Sequence, residues 1–251
     1  MKSFSRFIII SIFILCTVTA FGQEQSREAK IRNILAEFPG NIQTNIKSNM
    51  AEFMSDLDLV LQEDMRYFKV VDKQHPLPSY YNPGTLVDLD STSIRTNKKG
   101  MQLEKMTYLR LKDMVDAAEK EGLFMLVSSA YRSYDYQTRL YNYYVKLYGK
   151  EETDTFSAAP GTSQHQLGTV VDFGTVDNTL YYTTREGKWL RENAWKYGFS
   201  LSFPNGYEDV TGYSWESWHY RYVTYNGVAF QKKYFDDIQH YMLRFLDLYR
   251  S

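Results

Sequence analysis

Four histidines occur in the 251 residues, at positions 75, 165, 219 and 240. Two of them stand in segments that also carry other ligand types. His165 lies in Ser163-Gln164-His165-Gln166-Leu167-Gly168-Thr169-Val170-Val171-Asp172. His219 lies in Glu216-Ser217-Trp218-His219-Tyr220-Arg221-Tyr222. Each segment alone is ambiguous, because an Asp at a strand end is commonly a turn or cap residue. Together they offer two imidazoles and one carboxylate, the hard-to-borderline donor set that suits Zn²⁺ with a fourth position left to water. Glu216 adds the base that such chemistry requires, to take a proton from water and return it to a leaving amine. On a strand, Glu216 and His219 would face opposite sides, so a turn or bulge has to lie between them. His75 and His240 lack such neighbours and read as structural or solvated.

A third segment, Ser128-Ser129-Ala130-Tyr131-Arg132-Ser133-Tyr134-Asp135-Tyr136-Gln137, falls between an apolar strand and a helix. The planar donor fork of Arg132 matches a carboxylate or a developing oxyanion. On residue type alone, Arg132 reads equally as a surface arginine, Ser133 as a helix cap and Gln137 as a helix-face residue.

The elements that must position these groups follow from apolar spacing. Leu111, Met114, Val115 and Ala118 mark a helix that Gly122 ends. A buried strand is expected over Leu123–Val127, and a helix over Asp135–Tyr148 with Ser133 as N-cap and Gly149 as stop. The stretch 151–162 reads as a loop. Strands are expected at Gly168–Phe173, at Phe199–Phe203 and in an aromatic stretch ending near Tyr225. Between the first two, Thr183–Tyr197 reads as a helix, and an amphipathic helix fills the last twenty residues. This mixture lacks a regular βαβ rhythm, so the expected class is α+β: a small, largely antiparallel central sheet with flanking helices. Ahead of it, 23–66 reads as an extension of two helices broken at Pro39-Gly40. Residues 67–251 form the expected catalytic domain, in which 73–100 is largely irregular.

Composition narrows the class. Lys plus Arg number 29 against 30 Asp plus Glu, a formal net charge of -1. That supplies no cationic field for a phosphate backbone, so nucleic-acid binding is not expected. Lys2 and Arg6, an apolar run from Phe7 to Val18 and small residues up to Gly22 have the layout of a secretory signal peptide over 1–22. The apolar run is shorter than the ~20 residues a membrane-spanning helix needs. Export across a bacterial inner membrane into the periplasm or envelope is therefore expected, without stable membrane insertion after cleavage; a retained segment would be an anchor. Cys16 is the sole cysteine, so thiolate zinc sites, disulfides and a cysteine nucleophile are excluded from the mature chain. The unusual count is 22 Tyr.

In this order and spacing the three segments resemble the zinc D-alanyl-D-alanine carboxypeptidases of the VanY type, within a wider group that includes L,D-carboxypeptidases and D-Ala-D-Ala dipeptidases. The pattern Ser-x-His-x-x-Gly-x-Ala-x-Asp falls on Ser163, His165, Gly168 and Asp172. Glu-x-Trp-His-x-Arg-Tyr falls on Glu216, Trp218, His219, Arg221 and Tyr222, while Tyr-Arg-Ser and a following Gln fall on Tyr131, Arg132, Ser133 and Gln137. Val170 replaces the pattern's Ala and Ser217 the common Pro, and neither is a ligand. The likeness runs from about Val71 to Tyr225. It implies a fold like that of the Hedgehog and DD-peptidase group, with Zn²⁺ held by His165, Asp172 and His219. Glu216 would be the base and then the acid, Arg132 would hold the substrate, and Ser133, Gln137 and Ser163 would be substrate-binding residues. The implied partner is a peptidoglycan stem peptide, D,D- or L,D-bonded, met by a monomer. An endopeptidase of the same fold and a non-catalytic wall-binding module are the rival readings.

Overall fold

The structure is a computed structural model that describes residues 22–175 and 181–251. The segment 1–22, expected to be a signal peptide, therefore lies outside the described residues, Gly22 apart. Among the described residues, no helix is long and apolar enough to cross a membrane.

The chain begins with three helices, α1 (22–35), α2 (Gly40–Ser48) and α3 (Met50–Leu61). A short hairpin of β1 (Leu86–Asp88) and β2 (Gln102–Glu104) leads into α4 (Lys105–Lys120). There follow β3 (Leu126–Ser129), α5 (Tyr134–Tyr148), α6 (Lys150–Phe156), β4 (Val170–Gly174), α7 (Arg185–Asn193) and β5 (Phe199–Leu201). The chain closes with α8 (Glu208–Thr211), β6 (His219–Tyr222), α9 (Tyr225–Tyr234) and α10 (Gln239–Arg250).

The main sheet has the order β3-β4-β6-β5 and is antiparallel throughout. The expected α+β class with a small antiparallel sheet is what the chain adopts. In the central strand β4, Val170, Val171, Asp172 and Phe173 are all buried, as are all four residues of β6. Layers cover both faces of these strands, so even Asp172, His219 and Arg221 are buried within them. Ser129, Asp172 and His219 pair across β3, β4 and β6 in one row, and directly opposed residues project from the same face.

The N-terminal helices do not stand apart. Ile31, Leu35, Ile42, Ile46, Phe53 and Leu57 belong to the same buried cluster as Val127, Val171 and Phe199 of the sheet. Phe53 packs against Phe230, Tyr234 and Phe245 of α9 and α10 at ring-centroid distances of 5.0, 4.9 and 5.3 Å. Burying a ring of that size contributes about 1.5–3 kcal/mol. Where two helices were expected between 26 and 65 there are three, because Asn49 divides the second stretch.

Two further expectations need correction. Residues 150–156 form α6 rather than loop: acidic Glu151 and Glu152 occupy its first turn, and Thr153 is fully buried. An acidic, short segment with a single buried residue carries no helical period to read. The strand expected at Leu123–Val127 starts at Leu126, since Gly122 at φ +74° turns the chain and the next residues lead in.

A roof of irregular chain covers the site side of the sheet. Val71 and Leu77 bury against Leu167, the Leu77 amide donates to the Gly161 carbonyl at 2.8 Å, and Gln166 Nε2 donates to the Pro78 carbonyl at 2.9 Å. Gly161 is required here. Its φ is +88°, and a Cβ would come within 2.7 Å of the Leu77 oxygen, so any side chain would push the roof away.

Candidate active site

Asp172 in mid-β4 faces His219, the first residue of β6. His165 reaches the same point from the 3₁₀ turn Gln164–Leu167, which Gly168 ends at φ +75°. Asp172 Oδ2 lies 3.1 Å from His165 Nε2, and Asp172 Oδ1 lies 3.1 Å from His219 Nδ1. The two rings are 5.0 Å apart and nearly perpendicular, at 86°. All three side chains are buried, and one ligand atom from each lies within 4.8 Å of the others. Glu216 joins from the side, with Oε2 3.1 Å from His219 Nδ1. The required turn is present: Ser217 and Trp218 form it, and the His219 amide closes on the Glu216 carbonyl at 3.2 Å.

The ring nitrogens not aimed at Asp172 are already used. His165 Nδ1 is 2.6 Å from the Ala130 carbonyl, and His219 Nε2 is 3.2 Å from Gln164 Oε1. Both partners only accept, so each of those nitrogens carries a proton, and His165 Nε2 and His219 Nδ1 are the atoms turned toward Asp172 that an ion would take up. The buried Asp172 Oδ1 has no hydrogen-bond partner, although His219 Nδ1 is 3.1 Å away. The contact is close enough for an ion pair but is not directed as a hydrogen bond. A buried carboxylate oxygen left without a donor is costly, and a cation between the three side chains removes that cost. Donor chemistry and geometry therefore fit Zn²⁺.

Sequence reasoning missed Gln164, whose only signal was adjacency to His165. Gln164→Leu should weaken zinc binding by about 10–100-fold, the usual effect of losing a partner that orients a ligand, with the fold retained. A competition titration against a chromophoric chelator measures it.

Arg132 leads from β3 toward α5, with its amide donating to the His165 carbonyl at 3.2 Å. Its Nε donates to Ser129 Oγ at 3.0 Å, Nη1 to Gln137 Oε1 at 3.3 Å and Nη2 to Asp172 Oδ2 at 3.1 Å. Nη2 is also 3.1 Å from His165 Nε2. That nitrogen has one lone pair, so Arg132 and a metal ion compete for it. Gln137 is 1% exposed and donates its Nε2 to the Ala158 carbonyl at 2.7 Å. Both ends of its amide are thus committed, one of them to Arg132. The Ser133 hydroxyl accepts from the Tyr136 amide at 3.1 Å as the cap of α5.

A cavity of about 220 Å³ opens over this cluster. Arg132, Ser163, His165, Asp172, Glu216 and His219 all line it, whereas Ser133 and Gln137 do not. Its outer wall is apolar, built from Leu140, Tyr144 and Phe156.

Protonation differs between the two rings. Burial, helped by Arg132, pushes His165 down to about 4, so it is neutral at physiological pH. Burial pushes His219 down as well, but its contacts with Asp172 and Glu216 outweigh this and hold it up at about 9. For Asp172 burial works upward, and the two imidazoles prevail and keep the carboxyl well below its ordinary value. At neutral pH the metal-free site therefore holds a proton on His219 Nδ1, and an entering cation must expel it. Zinc binding near pH 7 should release about one proton, and affinity should rise about tenfold per pH unit until it levels near pH 9. Calorimetry in two buffers of different ionisation enthalpy counts that proton.

Residues 100–225 match the family model VanY, D-alanyl-D-alanine carboxypeptidase. YodJ of Bacillus subtilis is 34% identical over 194 residues, covering 73% of this chain and 71% of its own. The chain belongs to the VanY D-alanyl-D-alanine carboxypeptidase family. Membership makes it an enzyme, a zinc metallopeptidase. Among solved structures, the LdcB LD-carboxypeptidase, described as revealing the molecular basis of peptidoglycan recognition, superposes with a TM-score of 0.61 at 33% identity. That match covers 70% of this VanY-family chain and 84% of LdcB. A glutamate-to-alanine variant of the vancomycin-resistance D,D-pentapeptidase VanY, solved in complex with Zn(II), superposes with a TM-score of 0.58 at 29% identity, over 71% of this chain and 98% of that one.

Proposed function

We propose that this VanY-family enzyme is a zinc carboxypeptidase that removes the terminal D-alanine from peptidoglycan stem peptides in the bacterial envelope. One observation carries the reading: the His165, Asp172 and His219 cluster shares one cavity with an acid–base carboxylate, Glu216, and a guanidinium, Arg132. His165 Nε2, His219 Nδ1 and Asp172 would hold the ion. Zn²⁺ bound there supplies Lewis acidity toward the scissile carbonyl and acidifies water.

The chain's own groups do the rest. Glu216 takes the proton of the attacking water and delivers it to the departing amine of D-alanine. Arg132 anchors the terminal carboxylate through its donor fork, with Ser163 beside it, and so selects the last amide for attack. Gln137 and Ser129 act behind it by fixing the guanidinium plane. An exopeptidase follows from that anchor, since an internal peptide bond brings no terminal carboxylate. The leader-like segment at the N-terminus supports envelope placement.

The test incubates zinc-loaded protein with a pentapeptide and a tetrapeptide stem and weighs the products. Loss of one alanine from either supports the reading and shows which bond, D,D or L,D, is preferred. Release of longer fragments favours an endopeptidase, and no cleavage of either stem by protein with stoichiometric zinc defeats the proposal.

A further inference from the structure

α5 carries six of the chain's tyrosines, at 134, 136, 141, 143, 144 and 148, and part of that set is largely exposed. Tyr143 is 58% exposed, Tyr148 57%, Leu147 52% and Phe156 of α6 44%. They form one surface. Ring centroids of Tyr143 and Tyr144 are 5.6 Å apart, those of Tyr144 and Phe156 5.3 Å, and those of Tyr148 and Phe156 5.8 Å. Tyr144 and Phe156 also line the active-site cavity, so this aromatic shelf continues the cavity wall outward into solvent. An exposed apolar surface of this kind marks an interaction site.

We infer that the shelf binds the amino-sugar end of the substrate, so that the enzyme acts preferentially on stem peptides still attached to their glycan. The inference rests on the stem-peptide reading above. Two observations choose the occupant. The first is length. The anchor, Arg132, lies just before α5 and is braced by Gln137 in its first turn, and from Gln137 to Tyr148 a helix climbs about 16 Å at about 1.5 Å per residue. An extended five-residue stem spans about 16–18 Å; laid from Arg132 along the cavity wall that Leu140 and Tyr144 of α5 provide, it brings its sugar-bearing end to the level of Tyr148. The second is charge. Between Tyr134 and Phe156 there are three basic and four acidic residues, a balance that offers nothing to a polyanion but suits a neutral ligand. A pyranose ring is such a ligand: its axial C–H groups make a flat apolar face for an aromatic ring to cover.

The experiment uses the full zinc-loaded enzyme and two substrates with the same peptide, one carrying its disaccharide and one without sugar. The readout is the ratio of kcat/KM for the two. Wild type should favour the glycosylated substrate, Tyr148→Ala should cut that ratio about three- to tenfold, and Tyr148→Phe should keep it. Melting temperature confirms that the variants fold. Tyr225→Ala, an equally exposed tyrosine (55%) on α9, should leave the ratio alone. A wild-type ratio of one that Tyr148→Ala does not change overturns the inference. If neither substrate is cleaved, the stem-peptide reading has failed on its own account. The shelf is then judged by titrating an N-acetylglucosamine tetramer: binding lost in Tyr148→Ala keeps the sugar site, and no binding removes it. A concentration-dependent dimer abolished by Tyr148→Ala would assign the shelf to self-association and overturn the inference.

Discussion

Glu216→Gln should retain close to one zinc per chain and turn over about a thousand times more slowly. Glu216 Oε2 sits 3.1 Å from His219 Nδ1 and lines the cavity, yet it stands outside the His165, Asp172 and His219 cluster that would hold the ion. Its backbone is fixed independently of its side chain, by the amide donating to the Phe203 carbonyl at 3.0 Å and the carbonyl accepting from His219. Glutamine preserves that shape and removes only the ability to take up and return a proton, a contribution of about 10²–10⁴ in rate. Because Glu216 helps hold the proton on His219, the variant should also bind zinc with less proton release at neutral pH. Metal analysis beside an assay of D-alanine release checks both halves. A kcat within tenfold of wild type would remove Glu216 from the role of base.

That His165, Asp172 and His219 would gather with Glu216 beside them was readable because ligation restricts residue type so tightly. Few side chains bind zinc, and strand period two forces a turn between Glu216 and His219, which Ser217 and Trp218 supply. What polarises and orients those groups was not readable. Gln164 meets His219 across 55 positions and Ala130 meets His165 across 35; no local pattern encodes such pairings. Gln137 illustrates the same limit, since its place in the motif says nothing of which way its amide points. The N-terminal helices displayed amphipathic stripes, and only the folded chain shows that Phe230, Phe235 and Phe245 cover them. Arg221, named only as a motif position, is 0% exposed and held by the carbonyls of Tyr67 and Lys69 at 2.9 and 2.7 Å; among the described residues no carboxylate bonds it, and Nε and Nη1 have no partner. Strand alternation alone gave no reason to bury it.

Asp172→Asn should remove zinc and loosen the metal-free protein together, a pairing that distinguishes it from Glu216→Gln. As a ligand the change replaces an anionic oxygen by a neutral amide between two imidazoles, so zinc affinity should fall by at least about 100-fold, beyond the usual effect of a change outside the ligand set. The metal-free protein suffers for a separate reason. Asp172 is the anion that Arg132 Nη2 and both imidazoles approach at 3.1 Å, and the two histidines keep it ionised although burial works the other way. Removing one partner of a buried ion pair typically costs about 3–5 kcal/mol. Here the expectation is about 2–3, because Arg132 is one-fifth exposed and His219 can shed its proton once the carboxylate that helps hold it is gone. The proton lost from His219 also predicts that zinc still bound at high concentration displaces less than one proton per ion. Urea unfolding of chelator-treated protein gives the stability term, and the rise in melting temperature on adding zinc gives the affinity term. An Asp172→Asn protein that keeps wild-type zinc affinity would mean that the carboxylate is no ligand, and the ion would then have to be held by the two imidazoles with Glu216.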